Sequence, residues 1–377
     1  MTYKNALPFF HKEDIDLILN EFREILTGNG MLTKGPKSKE FEKKYAEYTG
    51  CKYAITTNSC TTALEIVLKT IALKANDEVI VPTQTFIATG SCVVTCGGKV
   101  VFCDSDDDFL LDIEDLKKKI SDKTKAVIIV HFAGLIHPRI FELKQYLNER
   151  GIFLIEDCAH SNGAKIDGIM SGNIGDFGCH SFYSTKIMTT GEGGMITTNH
   201  EDYYYLCSSY RSIGIDTKSN SEIFSQIGSN NRMPEFESIL GLYQLKRLDE
   251  FVSHRNMVAS VYIKELKTLE EKKLIRFQKV LPNMIHPYWK FILFLESKNI
   301  TRNNLKEKLL SKGINIEAPY QPLMHNQPVF KNINNNVCIS VPNAERLINT
   351  HFCLPINYKI SEADAINIAN IIKHEIY

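Results

Sequence analysis

From about residue 50 to residue 200, short apolar runs alternate with amphipathic stretches, a rhythm that few folds accept. The strand-like runs are Glu78–Val81, Lys99–Phe102, Ala126–Val130, Ile152–Ile155 and Gly194–Thr197. Helical patterns such as Asp112–Ile120 and Phe141–Arg150 lie between them. This is the pattern of an α/β domain with a mainly parallel sheet. Two further helices are expected before the first strand. Lys12–Leu26 places Ile15, Ile18, Leu19, Phe22 and Leu26 on one face, and Ser38–Tyr48 does the same with Phe41, Tyr45 and Tyr48.

A chain of 377 residues is too long for one small core. The expectation is a large domain over residues 1–250 and a smaller one over 251–377. A long helical pattern from Pro234 to about Leu269 leads into the second. There Trp289–Leu295 reads as a buried strand, Leu305–Leu310 and Glu362–Ile372 as helices, and the polar run Lys331–Asn336 as a surface loop.

Forty-four basic and forty-four acidic side chains cancel and form no block of one sign, so nucleic acid and anionic membranes have no electrostatic footprint here. No apolar span approaches the roughly 20 residues of a membrane helix. The first residues lack the apolar core of a signal peptide, so a cytoplasmic location is expected. Ten cysteines show no zinc-site spacing; they are read as reduced thiols, with no metal.

Two segments suggest chemistry. The apolar run Ile152–Ile155 ends in Glu156-Asp157, and α/β folds place ligands at the C-terminal edges of their strands. Lys186 follows Ser181-Phe-Tyr-Ser-Thr and precedes Gly191-Glu-Gly-Gly194, a backbone that can approach a ligand closely. A pyridoxal 5'-phosphate (PLP) enzyme needs such a pair: the lysine condenses with the cofactor aldehyde, and the acid pairs with the pyridinium nitrogen. A structural salt bridge is an equal reading of Asp157 alone. The glycine run is not a dinucleotide fingerprint, because the Gly-x-Gly-x-x-Gly spacing is missing.

Other segments supply candidates with simpler readings beside them. Asn58-Ser-Cys60-Thr61 opens an amphipathic helix whose first N–H groups can bind phosphate, although an ordinary capped helix explains the segment too. Phe86, on the loop after Glu78–Val81, can lie against a pyridine ring or simply fill a core. Ser181 can give its hydroxyl to a phosphate. His160 can touch the cofactor ring or be structural.

Taken in order, these segments resemble the DegT/DnrJ/EryC1/StrS aminotransferases, from about Gly28 to Phe330. The resemblance rests on Gly30–Gly35, Phe41-Glu42, Thr61–Leu64, Asp77–Pro82, Thr85-Phe86, Glu156-Asp157, Ser181-Phe182, Lys186, Gly191–Gly194, Gly228–Met233, Gln244-Leu245 and His325–Pro328. It implies a fold-type-I PLP-dependent transferase, with a seven-stranded, mostly parallel sheet and a smaller C-terminal α+β domain. It also implies that Lys186 is the Schiff-base lysine, Asp157 the pyridinium partner and Phe86 the stacking ring. Cys60, Thr61 and Ser181 would hold the phosphate, and His160 would contact the cofactor. Asn230 would reach the phosphate of a neighbouring subunit, giving a homodimer with shared active sites.

Cys60 stands where the family commonly has glycine, which is tolerable if only its N–H is used. Ile213 replaces a frequent histidine and is given no role. An extra residue in Pro322-Leu-Met-His325 leaves His325 as a candidate substrate contact. Relatives that remove a sugar hydroxyl carry histidine in place of the lysine, so Lys186 implies a true aminotransferase. The expected reaction moves an amino group from L-glutamate, leaving 2-oxoglutarate, to a nucleotide-linked keto-sugar in amino-sugar biosynthesis. A cyclitol ketone or another non-nucleotide acceptor is the alternative substrate class. A non-catalytic regulator of the same fold is a third reading.

Overall fold

The computed structural model describes residues 2–219, 222–333 and 338–377, apart from the side chain of Asn29. Seven strands form the main sheet in the spatial order Tyr53–Thr57, Gly194–Thr198, Phe177–Ser181, Phe153–Asp157, Thr124–Val130, Glu78–Pro82, Lys99–Cys103. Gly194–Thr198 runs antiparallel to both of its neighbours, and every other pairing in the sheet is parallel. Helices cover both faces. Val79, Val81, Ala126 and Ile128 pack under the helix Cys60–Thr70, while Ile80, Val127 and Ile129 meet Leu116, Leu143 and Leu147 on the other side. Burial on both faces explains why these strands read as unbroken apolar runs.

Two of the seven strands are absent from the apolar pattern. Tyr53–Thr57 carries two threonines, and Phe177–Ser181 is Phe-Gly-Cys-His-Ser, yet the latter is buried throughout. Their polar atoms find partners only in the fold; His180 Nε2, for example, lies 3.2 Å from Thr197 Oγ1.

The C-terminal module is a three-stranded antiparallel sheet, ordered Ile275–Phe277, Phe291–Leu295, His351–Leu354, under the helices Leu248–Glu271 and Glu362–Ile376. The long helical pattern from Pro234 is two helices, Glu235–Lys246 and Leu248–Glu271, broken at Arg247. The second belongs to both cores: Leu248, Phe251 and Val252 pack with Phe41 and Phe182, and Val258 onward packs in the C-terminal module.

Other expectations change in detail. Trp289 precedes its strand, which begins at Phe291. The proposed loop at 331–336 begins as helix, because Lys331–Ile333 close the short helix Pro328–Ile333; residues 334–336 lie outside the described residues. On the helix Lys12–Glu24 only Ile18 of the expected apolar face is buried, while Ile15 and Leu19 are exposed. All ten cysteines are free thiols.

Candidate active site

Strand alternation sends the two adjacent acids to opposite sides. Glu156 turns into the protein and accepts from Gly172, Ile174 and Gly175 N–H and from His131 Nε2, all at 2.6–2.9 Å. Burial alone would raise its carboxyl; His131 and the amides outweigh that and hold it low. Asp157 faces a cavity of about 940 Å³ at the C-terminal edge of the sheet. Its Oδ2 accepts from Thr89 Oγ1 at 2.9 Å and its Oδ1 from Ala159 N–H at 3.1 Å. Burial raises the Asp157 carboxyl above its ordinary value, and these donors only partly offset the shift.

Lys186 reaches the same cavity from the turn after Phe177–Ser181, with its N–H held by Tyr183 O at 2.9 Å. Its Nζ lies 4.4 Å from the centre of the Trp289 ring. Burial lowers its pKa to about 8; Lys290 pushes the same way, and Asp157 opposes. A base poised near neutrality is what nucleophilic and proton-transfer chemistry requires.

At the start of the helix Cys60–Thr70, Ser59 caps by accepting from Thr62 N–H at 3.2 Å, and Ser59, Cys60 and Thr61 line the cavity. The first N–H groups of the helix have no intrahelical acceptor. Cys60 turns its thiol inward, to Cys179 O at 3.4 Å, so a side chain is accommodated there. Gly194 fits against this turn: a Cβ on it would sit 2.5 Å from the Ser59 carbonyl carbon. At this position the glycine run therefore makes room for the protein itself. Ser181 lines the cavity beside it.

Phe86 is exposed on the cavity wall, 5.9 Å from Tyr320 ring to ring, and is not a core residue. His160 is buried, stacks on Trp289 at 3.8 Å, and shares a 2.9 Å hydrogen bond between Nε2 and the Tyr320 hydroxyl. Its Nδ1 has no hydrogen-bond partner among the described residues. Burial, reinforced by Lys186 and Lys290, pushes it well below the ordinary histidine range, so the ring is neutral. Two bulky residues with left-handed backbone flank this stack, Tyr288 at φ 46° and Tyr320 at φ 63°, a strain typical of functional sites.

The fold does not bring every candidate together. Asn230 is exposed, bridged to Ser212, and away from the cavity wall. His325 is not at the cavity either. Its ring is buried, Nδ1 2.6 Å from Thr83 Oγ1 and Nε2 2.8 Å from Asn326 Nδ2. Conversely, Trp289, Lys290, Glu317 and Tyr320 line the cavity without having been singled out. The one available signal was that Trp289 is the only tryptophan in the chain.

These donors fit PLP. A half-buried amine near neutrality, a buried carboxylate, an exposed aromatic ring, and free N–H groups with a serine hydroxyl converge on one cavity. Each answers one part of that cofactor: aldehyde, ring nitrogen, ring face and phosphate.

Comparison with known proteins agrees. Residues 12–373 match the DegT/DnrJ/EryC1/StrS aminotransferase family. The GDP-perosamine synthase of Escherichia coli O157:H7 is 33% identical over 309 residues, 81% of this chain and 82% of that protein. The spore coat polysaccharide biosynthesis protein SpsC of Bacillus subtilis (strain 168) is 30% identical over 393 residues, 98% of this chain and 95% of that protein. An aminotransferase from Psychrobacter cryohalolentis superposes with a TM-score of 0.92 at 26% identity, covering 99% of this chain and 98% of that one. With its sheet, its cavity and this match over nearly its whole length, the chain belongs to the DegT/DnrJ/EryC1/StrS family of PLP-dependent aminotransferases.

Proposed function

We propose that the enzyme transfers an amino group from L-glutamate to a nucleotide-linked keto-sugar. The observation that carries this reading is the convergence of Lys186, Asp157 and Phe86 on one large cavity, in a chain 33% identical to a GDP-perosamine synthase.

PLP, when bound, supplies the electron sink that stabilises negative charge on the substrate carbon. Lys186 would hold PLP through its Nζ, and the same amine, once free, would take the proton from the donor Cα. In the second half of the cycle Lys186 gives a proton to the sugar carbon that receives nitrogen. Asp157, steadied by Thr89 and Ala159, keeps the ring nitrogen protonated. The helix start at Cys60 and Thr61, with Ser181, would hold the phosphate, and Phe86 would supply an aromatic surface for the ring.

The exposed apolar residues Leu19, Leu26, Met31 and Leu32 support a homodimer, since large apolar side chains left uncovered favour association. Asn230, exposed on its own subunit, is free to serve the partner's site.

A panel of nucleotide-linked keto-sugars and cyclitol ketones, incubated with L-glutamate and read by mass spectrometry, tests the substrate class. A mass gain on a nucleotide-linked acceptor is expected, and aminated cyclitols alone would overturn the sugar reading. Lys186→Ala should fold but lose at least about 10³-fold in turnover.

A further inference from the structure

Lys290 is a cation that the reading above leaves unused. It is 5% exposed, lines the cavity just before the strand Phe291–Leu295, and has Nζ 5.2 Å from the centre of the Trp289 ring. Lys186 Nζ stands 4.4 Å from the centre of that same ring. The partner of Lys290 is Glu317, whose Oε2 lies 2.6 Å from Nζ. Burial of the pair is lopsided: the Lys290 side chain is 6% exposed and that of Glu317 42%. The Glu317 main chain is pinned to Cys353 in both directions, at 2.7 and 3.3 Å. Its carboxylate can therefore swing to water without moving the backbone, whereas the ammonium cannot leave.

Two unlike substrates must take turns in this cavity. An amino acid brings a carboxylate one bond from its reacting carbon, and a keto-sugar ring is neutral there. A buried ammonium without an anion is strongly unfavourable, so the site needs an anion in one state and must release it in the other.

We propose that Lys290 anchors a carboxylate of the amino donor, and that Glu317 is the built-in substitute, docked on Lys290 when the cavity holds the neutral sugar. This rests on the transaminase reading and adds the means by which one cavity serves both half-reactions.

Titration of the PLP-loaded enzyme with glutarate, read by Trp289 fluorescence or calorimetry, tests it without turnover. Lys290→Met should weaken glutarate binding by about tenfold or more, the loss of one charge-assisted hydrogen bond. Lys290→Arg should stay within about threefold of the parent, and Glu317→Gln should tighten binding because it removes the competing carboxylate. The opposite signs for Lys290→Met and Glu317→Gln are diagnostic, since a purely structural pair would make both variants weaken. Unchanged binding in Lys290→Met, or weakening in Glu317→Gln, overturns the proposal. So does a Lys290→Met variant that loses affinity for GDP and not for glutarate. Adding L-glutamate to the parental enzyme and following the cofactor absorbance separates the two claims. No conversion with any amino acid defeats the transaminase reading, and conversion with identical glutarate titrations defeats only the role of Lys290.

Discussion

The imidazole of His160 lies flat on the indole of Trp289, ring centres 3.8 Å apart and planes 7° from parallel. One residue follows the strand that carries Asp157, and the other comes from the C-terminal module. Trp289 is the sole tryptophan, so the intrinsic fluorescence of this protein reports on one site. Binding PLP to the cofactor-free protein should quench most of that emission. A titration in which the emission is unchanged while PLP binds would place the cofactor elsewhere.

The neutral state of His160 has its own test. Because burial holds this ring unprotonated, His160→Gln removes no charge and keeps a polar group near Tyr320. Turnover is expected to stay within about tenfold of the parent, with no change in the acid limb of the pH profile. Steady-state rates between pH 5 and 8 check this.

Lys186 titrates near pH 8, lowered chiefly by burial. Capture of PLP by the cofactor-free enzyme needs the free amine, so its rate should rise about tenfold per pH unit below 8 and flatten above it. The folded pKa lies below the unfolded one, so the unfolded chain binds more protons between about pH 8 and 10.5, and Lys186 makes stability rise across that window. Stopped-flow absorbance reads the first effect. Thermal melts of the parent against Lys186→Met read the second, and the rise should vanish in the variant.

Asp157 is a carboxylate that the cofactor-free fold does not fully compensate. Its folded pKa is raised, so its contribution is favourable below the ordinary carboxylate range and is lost as pH rises through the folded value. At pH 7 the cofactor-free Asp157→Asn variant should melt at or above the parental temperature. The same variant should lose about 10²-fold or more in turnover, the trade expected where a site stores an unfavourable charge. Calorimetry and initial rates measure the two halves.

Glu156 should behave in the opposite way. It accepts from three amides and His131, and its carboxyl is held below the ordinary range. Its contribution is full above that range and is lost as pH falls through the depressed folded value. Glu156→Gln leaves donors facing donors in a buried site and should destabilise the fold by about 3 kcal/mol. Urea unfolding at pH 7 checks the magnitude, and the difference from the parent should shrink toward pH 3.

Much of this was legible in the residues. The apolar runs at 78–82, 124–130 and 153–157 are strands because both faces of the sheet are covered, so their composition announces their place. Asp157 stood out because it ends such a strand, and Lys186 because the glycine run Gly191-Glu-Gly-Gly194 follows it. Tyr53–Thr57 and Phe177–Ser181 did not, since polar residues such as Thr56 and His180 are buried there against partners distant in sequence, Glu42 and Thr197. The face of Lys12–Glu24 misled, because helical periodicity marks an apolar stripe without saying what covers it.

Sequence alone determined the fold class, from the alternation of apolar runs and amphipathic stretches, and the family, from the resemblance of its ordered motifs, and it singled out Lys186 and Asp157 as the candidate pair. Tertiary structure decided which side chains complete the cavity. Trp289, Lys290, Glu317 and Tyr320 arrive from more than a hundred residues beyond Asp157, His325 turns away into the interior, and Phe86 stands at the cavity wall instead of in a core. Proximity across that separation comes from the packing of the C-terminal module on the sheet edge, which no local pattern encodes.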